Sequence, residues 1–339
     1  MSDGMRFKIR KGMIKAGALI LLIVGCTLIC LSFIRKWEMD DSVLPLEYSQ
    51  PGAEETQGQT YYDGNWYVPR DNLETILFLG LDEFSSGNTE ESYNNSRQAD
   101  FILLLVVDHE SNAVSAIHLN RDTMANIQIL GVTGEPAGTF TGQLALAHTF
   151  GDGARTSCLN AARAVSNLLY GVKIDHYLSL TMDAVPALND MVGGVPVVVL
   201  DDFTTIDPEL VSGSTVLLQG EQALTYVRAR RDLEDGYNLH RMERQRQYIN
   251  CFLEQLQASM EDNPEFFIDT IVSIADCLVS DCTIEQLSRL AGDIQAYRFD
   301  GIYTLEGETI QGEEYIEFYA DDEAIQTLVM GLFYRMLRE

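Results

Sequence analysis

Beyond residue 36 the chain is almost without lysine: Lys173 is the only one. Histidine is scarce too, with 5 residues, and so is tryptophan, with 2. No G-x-x-x-x-G-K-[ST], G-x-S-x-G or H-E-x-x-H occurs. These absences remove the nucleotide-binding loop, the hydrolase elbow and the zinc-protease helix. No Cys/His grouping has zinc-ligand spacing along the chain. Basic charge is outnumbered throughout, 23 Lys+Arg against 51 Asp+Glu. A field of that sign excludes nucleic acid as a partner.

What is present starts with one apolar run. Residues 16–34, AGALILLIVGCTLICLSFI, are nineteen positions without a charge. At 1.5 Å per residue they span roughly 28 Å, close to a bilayer's hydrocarbon core. Arg6, Lys8, Arg10, Lys11 and Lys15 precede the run, and only Arg35 and Lys36 follow before acidic sequence. The bias predicts a cytoplasmic tail (1–15), a transmembrane helix (16–34) and an external remainder. No A-x-A cleavage site follows the run. Ile23-Val24-Gly25-Cys26 has the look of a lipoprotein box, but the apolar stretch continues eight residues past Cys26, which favours an uncleaved anchor.

After residue 36, 16 basic residues face 50 acidic ones, a formal charge of −34. Fifteen of the sixteen are arginines, and six of these lie between Arg228 and Arg246. A guanidinium offers a planar fork of donors suited to phosphate oxygens, whereas lysine is a point charge. Against this background the cluster reads as an anion site, the alternative being a surface helix bridged to nearby acids. Cys158, Cys251, Cys277 and Cys282 lie on the external side, where Cys277 and Cys282 form a candidate local disulfide and buried thiols are the alternative.

Residues 35–72, acidic and holding Pro45, Pro51 and Pro69, read as a linker, and the folded domain is expected over 73–339. Residues 75–81 and 101–107 are continuous apolar runs of strand length, the mark of strands buried on both faces. Residues 113–119 alternate as a third strand. Strands follow at 176–180 and 195–200. Helices are expected at 157–169, 220–229, 241–260, 263–278, 283–294 and 322–337, the fifth capped by Thr283 with Gln286. A short strand pair is expected at 301–304 with 315–319. This alternation predicts an α/β fold, an αβα sandwich around a central, mostly mixed β-sheet.

Ligands of such sheets sit where strands end. Four places qualify: Gly80-Leu81-Asp82 after the first strand, Gln98-Ala99-Asp100 before the second, Asn120-Arg121-Asp122-Thr123 after the third, and residues 226–247, YVRARRDLEDGYNLHRMERQRQ. Asp82 and Asp100 can hold a hard cation such as Mg²⁺; each alone is as readily a turn residue. Arg241, Arg244 and Gln245 share a helical face at i, i+3, i+4. Fixed guanidiniums plus a metal meet the electrostatic need of phosphoryl transfer. His118 and His148 are candidate general bases, although lone histidines beside apolar runs are more often core residues.

In this order the motifs resemble the LytR–CpsA–Psr family: GLD (80–82), QAD (98–100), NRDT (120–123), QLALAHTFGDG (143–153), LLYGVKIDHY (168–177), VGGVPV (192–197), LQGEQALTYVRARR (218–231) and RMERQRQ (241–247). The resemblance covers about 73–260. It implies an αβα fold whose core holds a polyprenyl tail. It also implies a phosphotransferase that moves a phosphoglycan, of teichoic acid or capsular polysaccharide type, from undecaprenyl pyrophosphate to peptidoglycan. The implied setting is the outer face of the cell membrane, with lipid contact through the N-terminal helix. Carried over by position, Asp82 and Asp100 would hold Mg²⁺, and Arg121, Arg228, Arg230, Arg241, Arg244 and Gln245 would bind the pyrophosphate. Arg121 and Asp122 would be catalytic, Asp122 orienting Arg121 or standing near the incoming hydroxyl. Three positions depart from the family pattern: Glu83 for an arginine, Gln98 for an arginine, and Asn238 for an aspartate. The rival readings are an extracellular polyprenyl-pyrophosphate hydrolase and a non-enzymatic surface regulator.

Overall fold

Two long runs of Leu, Ile, Val and Phe with no polar alternation can be buried only if helices cover both faces of the sheet they form, and that is the arrangement found. A computed structural model describes residues 58–82, 97–131, 133–229, 238–263, 266–313 and 315–337. The expected cytoplasmic tail and membrane helix, most of the expected linker, and the positions of Glu83 and Arg230 lie outside the described residues. No helix among the described residues is long and apolar enough to cross a membrane.

The described chain begins with a hairpin, β1 (Thr60–Tyr62) and β2 (Asn65–Pro69), within the stretch expected to be linker. It continues through β3 (Leu73–Asp82), β4 (Gln98–Asp108) and β5 (Ala113–Leu119), an antiparallel meander. An outlying hairpin follows, β6 (Met124–Leu130) and β7 (Pro136–Gln143), then a 3₁₀ turn (Leu144–Thr149) and helix α1 (Arg155–Leu168). Next come β8 (His176–Thr181), α2 (Ala184–Met191), β9 (Val195–Val198), β10 (Thr215–Leu218), α3 (Glu221–Arg228) and the long α4 (Asn238–Asp262). The last part holds α5 (Phe266–Ser273), β11 (Leu278–Ser280), α6 (Ile284–Ala296), β12 (Arg298–Thr304), β13 (Gly307–Gln311), β14 (Ile316–Ala320), α7 (Asp322–Phe333) and β15 (Tyr334–Met336).

The central sheet has six strands in the order β11-β8-β3-β4-β5-β12 and is mixed. β8 and β12 run parallel to β3 and β5, and the other pairs are antiparallel. Side chains of β4 alternate between two cores. Ile102, Leu104 and Val106 face α1 and α7, meeting Cys158, Ala161, Val165, Val329 and Phe333. Leu103, Leu105 and Val107 face the other way, toward Leu290 and Ile294 of α6.

Several expectations are adjusted. The strand at 195–200 does not join the central sheet but pairs with β10. Residues 301–304 and 315–319 do not pair with each other: β12 completes the sheet edge beside β5, and β14 pairs with β13. Residues 60–69 belong to the folded unit because β2 pairs with β15, near the other end of the chain. Cys158, Cys251, Cys277 and Cys282 are all free thiols, so no 277–282 disulfide forms. The Thr283 capping box on α6 is present with both of its hydrogen bonds.

Candidate functional site

Since β3, β5 and β8 point one way and β4 the other, the end of β3, the start of β4 and the end of β5 share one rim of the sheet. Three of the four sequence motifs therefore meet. The pairing of β3 with β4 slips there: Gly80 stands opposite Phe101, but Leu81 stands opposite Ala99, so Asp100 is the extra residue of a β-bulge. Gly80 is required at this point, since a Cβ on it would lie 2.8 Å from Cβ of Phe101.

Asp100, 4% exposed, accepts from two guanidiniums. Arg121 donates to its Oδ1, and Nη1 of Arg241 lies 3.2 Å from its Oδ2. Arg121 also donates through Nη2 to Oε1 of Gln98 at 2.6 Å, and its Nε stands 3.4 Å from Oδ1 of Asp122. Asp122 is held in turn by Nε2 of Gln143 at 2.9 Å, which also donates to the carbonyl of Ile316. Arg228, the last residue of α3, donates to Oδ1 of Asp82.

Asn120 and Asn238 tie α4 to this rim. Nδ2 of Asn238 donates to Oδ1 of Asn120 at 2.8 Å, while its own Oδ1 accepts from Nε of Arg241 at 2.9 Å. Asn120 Oδ1 further accepts from the backbone N–H of Asp122, which sets the turn that presents Arg121. An amide serves at 238 where a carboxylate would not, because one side chain must both donate and accept. Gln98 likewise supplies an acceptor to Arg121 where an arginine would repel it.

The expected convergence of arginines is thus partial. Arg121, Arg228 and Arg241 reach the rim, and each is met by a carboxylate of this chain rather than left to await an anion. Arg230 lies outside the described residues. Arg244 is turned away: Nε donates to the carbonyl of Tyr226 at 2.9 Å, Nη1 to Asp201 at 2.5 Å, and Nη2 to the carbonyl of Ala229, with Phe203 stacked 4.8 Å below the guanidinium. These contacts tie α4 to the end of α3, the helix whose last residue is Arg228. Gln245 donates to the carbonyl of Val227 at 3.2 Å, and its buried Oε1 has no partner among the described residues.

Gln245 also marks where the charged rim meets an apolar cavity of about 300 Å³. The cavity lies against the sheet face opposite α1. Gly80, Phe101 and Gln245 line it at the rim, Leu103 and Leu105 along its length, and Ile294 and Phe299 farther down. From Phe101 to Leu105 alone is roughly 13 Å at about 3.3 Å per strand residue. Its walls are almost wholly hydrocarbon.

Neither histidine suits a general base. Burial, reinforced by the charges of Arg246 and Arg241, pushes His118 down to about 3. Its Nδ1 has no hydrogen-bond partner among the described residues, and its ring packs 4.9 Å from that of Phe101. Burial holds His148 down at about 4, with Nδ1 3.0 Å from the carbonyl of Arg97. The residues that sequence reasoning underrated are Gln143, Asn238 and Asp201. Gln143 was signalled by a lone amide opening an apolar turn, and Asp201 by an acid directly after the apolar stretch that ends at Leu200.

A family model described as the LytR_cpsA_psr family matches residues 48–324. Biofilm regulatory protein A of Streptococcus mutans is 28% identical over 252 residues, 71% of this chain and 59% of that protein. The polyisoprenyl-teichoic acid–peptidoglycan teichoic acid transferase TagU of Enterococcus faecalis is 24% identical over 222 residues, 66% of each. The matches thus span 59% and 66% of those relatives' lengths. Among solved structures, gbs0355 from Streptococcus agalactiae aligns with TM-score 0.62 at 21% identity, over 77% of this chain and 86% of that one. TagT bound to LI-WTA aligns with TM-score 0.58 at 18% identity, over 77% and 90%. At such identities the structural likeness concerns the fold.

Proposed function

Because the chain belongs to the LytR–CpsA–Psr family, we propose that it transfers a phosphoglycan from a polyprenyl pyrophosphate, the undecaprenyl form, to a hydroxyl of peptidoglycan. The observation that carries this reading is the apolar cavity whose lining at Gly80, Phe101 and Gln245 adjoins, along the chain, the rim of arginines and carboxylates. A ligand that fits both is an anion on a long hydrocarbon. TagU of Enterococcus faecalis is named for such a transfer from a polyisoprenyl carrier, and the rim here has the groups it would need. The anchor expected at 16–34 would place the domain on the outer face of the membrane, beside both substrates.

In this reading the tail lies along Phe101, Leu103 and Leu105, and the pyrophosphate meets Arg121, Arg228 and Arg241, with Arg230 joining them. The acceptor hydroxyl oxygen attacks the glycan-side phosphorus. The bond from that phosphorus to the bridging oxygen breaks, polyprenyl monophosphate departs, and the hydroxyl proton is released. Asp122 holds Arg121 in place beside the reacting phosphate. A pair of carboxylates at one rim, nine-tenths buried, is a donor set that suits a hard cation. Asp82 and Asp100 would hold Mg²⁺, which when bound supplies positive charge to the phosphate oxygens. The arginines now on those carboxylates would then be released to the ligand.

The test is a binding and product assay on the purified full chain. Polyprenyl pyrophosphate should bind, and free pyrophosphate should bind far more weakly. Arg241→Lys should lower affinity by about 10- to 100-fold, the worth of a charged hydrogen bond of roughly 1.5–3 kcal/mol. Asp82→Ala and Asp100→Ala should each abolish product, and the double variant should be no worse. Equal product with and without peptidoglycan would reassign the chain as a hydrolase. No binding of the lipid would remove the reading altogether.

A further inference from the structure

At the opposite end of the sheet, where β3 and β8 begin, the fold assembles a cluster that the linear sequence does not announce. His176 opens β8, and Asp281 and Cys282 follow β11, the strand beside it. Their ligand atoms (an imidazole nitrogen, a carboxylate oxygen and a thiol sulfur) all lie within 4.8 Å of one another. Nothing in the proposed transfer uses them: six strand residues, about 20 Å, separate this end from Asp82.

Three features distinguish the cluster from a chance grouping. Nδ1 of His176 is buried and has no hydrogen-bond partner among the described residues. It stands 3.6 Å from Oδ1 of Asp281, too long for a hydrogen bond. That separation is nonetheless close to the ligand–ligand edge of a zinc tetrahedron, roughly 3.3–3.6 Å for bonds of about 2.0–2.3 Å. The other ring nitrogen, Nε2, faces Oε1 of Glu74 at 3.7 Å. A carboxylate behind the histidine is the usual support of a metal-bound imidazole. Glu74 is itself fixed, by Arg289 at 2.8 and 2.9 Å and by His109 at 3.0 Å.

The turn carrying the other two residues is equally set. Asp281 Oδ1 accepts from the backbone N–H of Tyr177 at 2.9 Å. Oγ of Ser280 accepts from the N–H of Cys282 at 3.0 Å and donates to the carbonyl of Tyr177 at 2.9 Å. Thr283 then caps α6. Two strands and a helix are thus anchored around three unlike ligand atoms.

We propose that His176, Asp281 and Cys282 form a binding site for a zinc-class divalent ion, with Glu74 as the carboxylate behind the histidine. Mixed nitrogen, sulfur and oxygen donors suit Zn²⁺ and not Mg²⁺, which takes oxygen alone. Three protein ligands leave a fourth position for water, on the side where Asp281 is exposed. Cysteine binds zinc as the thiolate, so uptake breaks the Cys282 S–H bond, forms the Zn–S bond and releases one proton to solvent.

The full chain, with Cys26 and Cys30 replaced by serine so that they contribute no thiolate, is stripped with chelator and titrated with Zn²⁺ by calorimetry in two buffers of different ionisation heat. One equivalent should bind with release of a proton, and Mg²⁺ should not compete at tenfold excess. Co²⁺ in place of Zn²⁺ should give a thiolate-to-cobalt charge-transfer band. Cys282→Ser should erase that band and weaken zinc binding at least tenfold, as should His176→Gln, while Cys277→Ser changes neither. Circular dichroism confirms that each variant is folded, and the two independent ligand variants guard against loss of one. Absence of saturable zinc binding, or binding indifferent to Cys282→Ser and His176→Gln, overturns the site.

Discussion

Replacing Arg244 separates an arginine that builds the site from arginines that serve it. Arg244 is 2% exposed, and three of its nitrogens are spent on the carbonyls of Tyr226 and Ala229 and on Asp201, itself 7% exposed. Arg244→Met keeps the aliphatic stem over Phe203 but takes the guanidinium from buried Asp201 and a donor from the carbonyls of Tyr226 and Ala229. Breaking a buried pair from one side costs about 3–5 kcal/mol. Arg244→Lys keeps a charge near Asp201 but reaches one acceptor, not three, and should cost about 2 kcal/mol, the range of an unsatisfied buried acceptor. Adding Asp201→Asn to Arg244→Met should recover part of the loss, since the buried carboxylate that lost its guanidinium is then neutral. Arg241→Met should cost less than Arg244→Met, because Arg121 remains on Asp100. The assay is denaturant unfolding of the full chain followed by circular dichroism, beside lipid binding. Full stability in both Arg244 variants, with lipid binding reduced as in Arg241→Lys, would refute the reasoning and return Arg244 to the ligand.

Acid should destabilise the fold well before carboxylates titrate. His118 and His148 are held below the free value of about 6.5 by burial, so the unfolded chain binds protons that the folded one refuses. Stability is then full above pH 6.5 and falls below it, by about 2 kcal/mol per histidine at pH 5. His118→Gln should roughly halve the slope between pH 6.5 and 5; an unchanged slope would show that His118 is not buried neutral. Gly80→Ala should cost about 1–3 kcal/mol through collision with Phe101. The cost should shrink in a Phe101→Gly background, which removes the Cβ it meets, and equal costs in both backgrounds would place the strain elsewhere.

The apolar strands and the motifs at their ends were legible because burial on two faces and chemistry at strand termini both leave local marks. β5 was read to the residue, since it alternates between strong polar breaks. The sheet's edges were legible only in part: β11 is three residues long, and of β12 only 301–304 reads as strand, with no local mark naming β5 as its partner. The hairpin β6–β7 escaped for a similar reason, its residues being half exposed and mixed in pattern. At the site, helical spacing correctly put Arg241, Arg244 and Gln245 on one side of α4. Spacing could not say that the three diverge to Asp100, Asp201 and the carbonyl of Val227, because those partners lie far away along the chain. The pairing of Arg244 with Asp201 spans 43 positions and has no local signature.

The bulge in β4 has a consequence for inheritance. Gln98 and Phe101 face the rim and cavity while Ala99 and Ile102 face the α1 core, so the strand keeps a regular alternation once Asp100 is counted out. The carboxylate is therefore carried by a supernumerary residue. Loss of that single codon would close the ladder between Ala99 and Phe101 without turning any other side chain over, whereas loss of any codon farther along would invert the strand. A lineage could shed the acidic group in one step and keep an intact sheet. Among related chains, the number of residues between Gly80 and the apolar run is thus as telling as which residues they are.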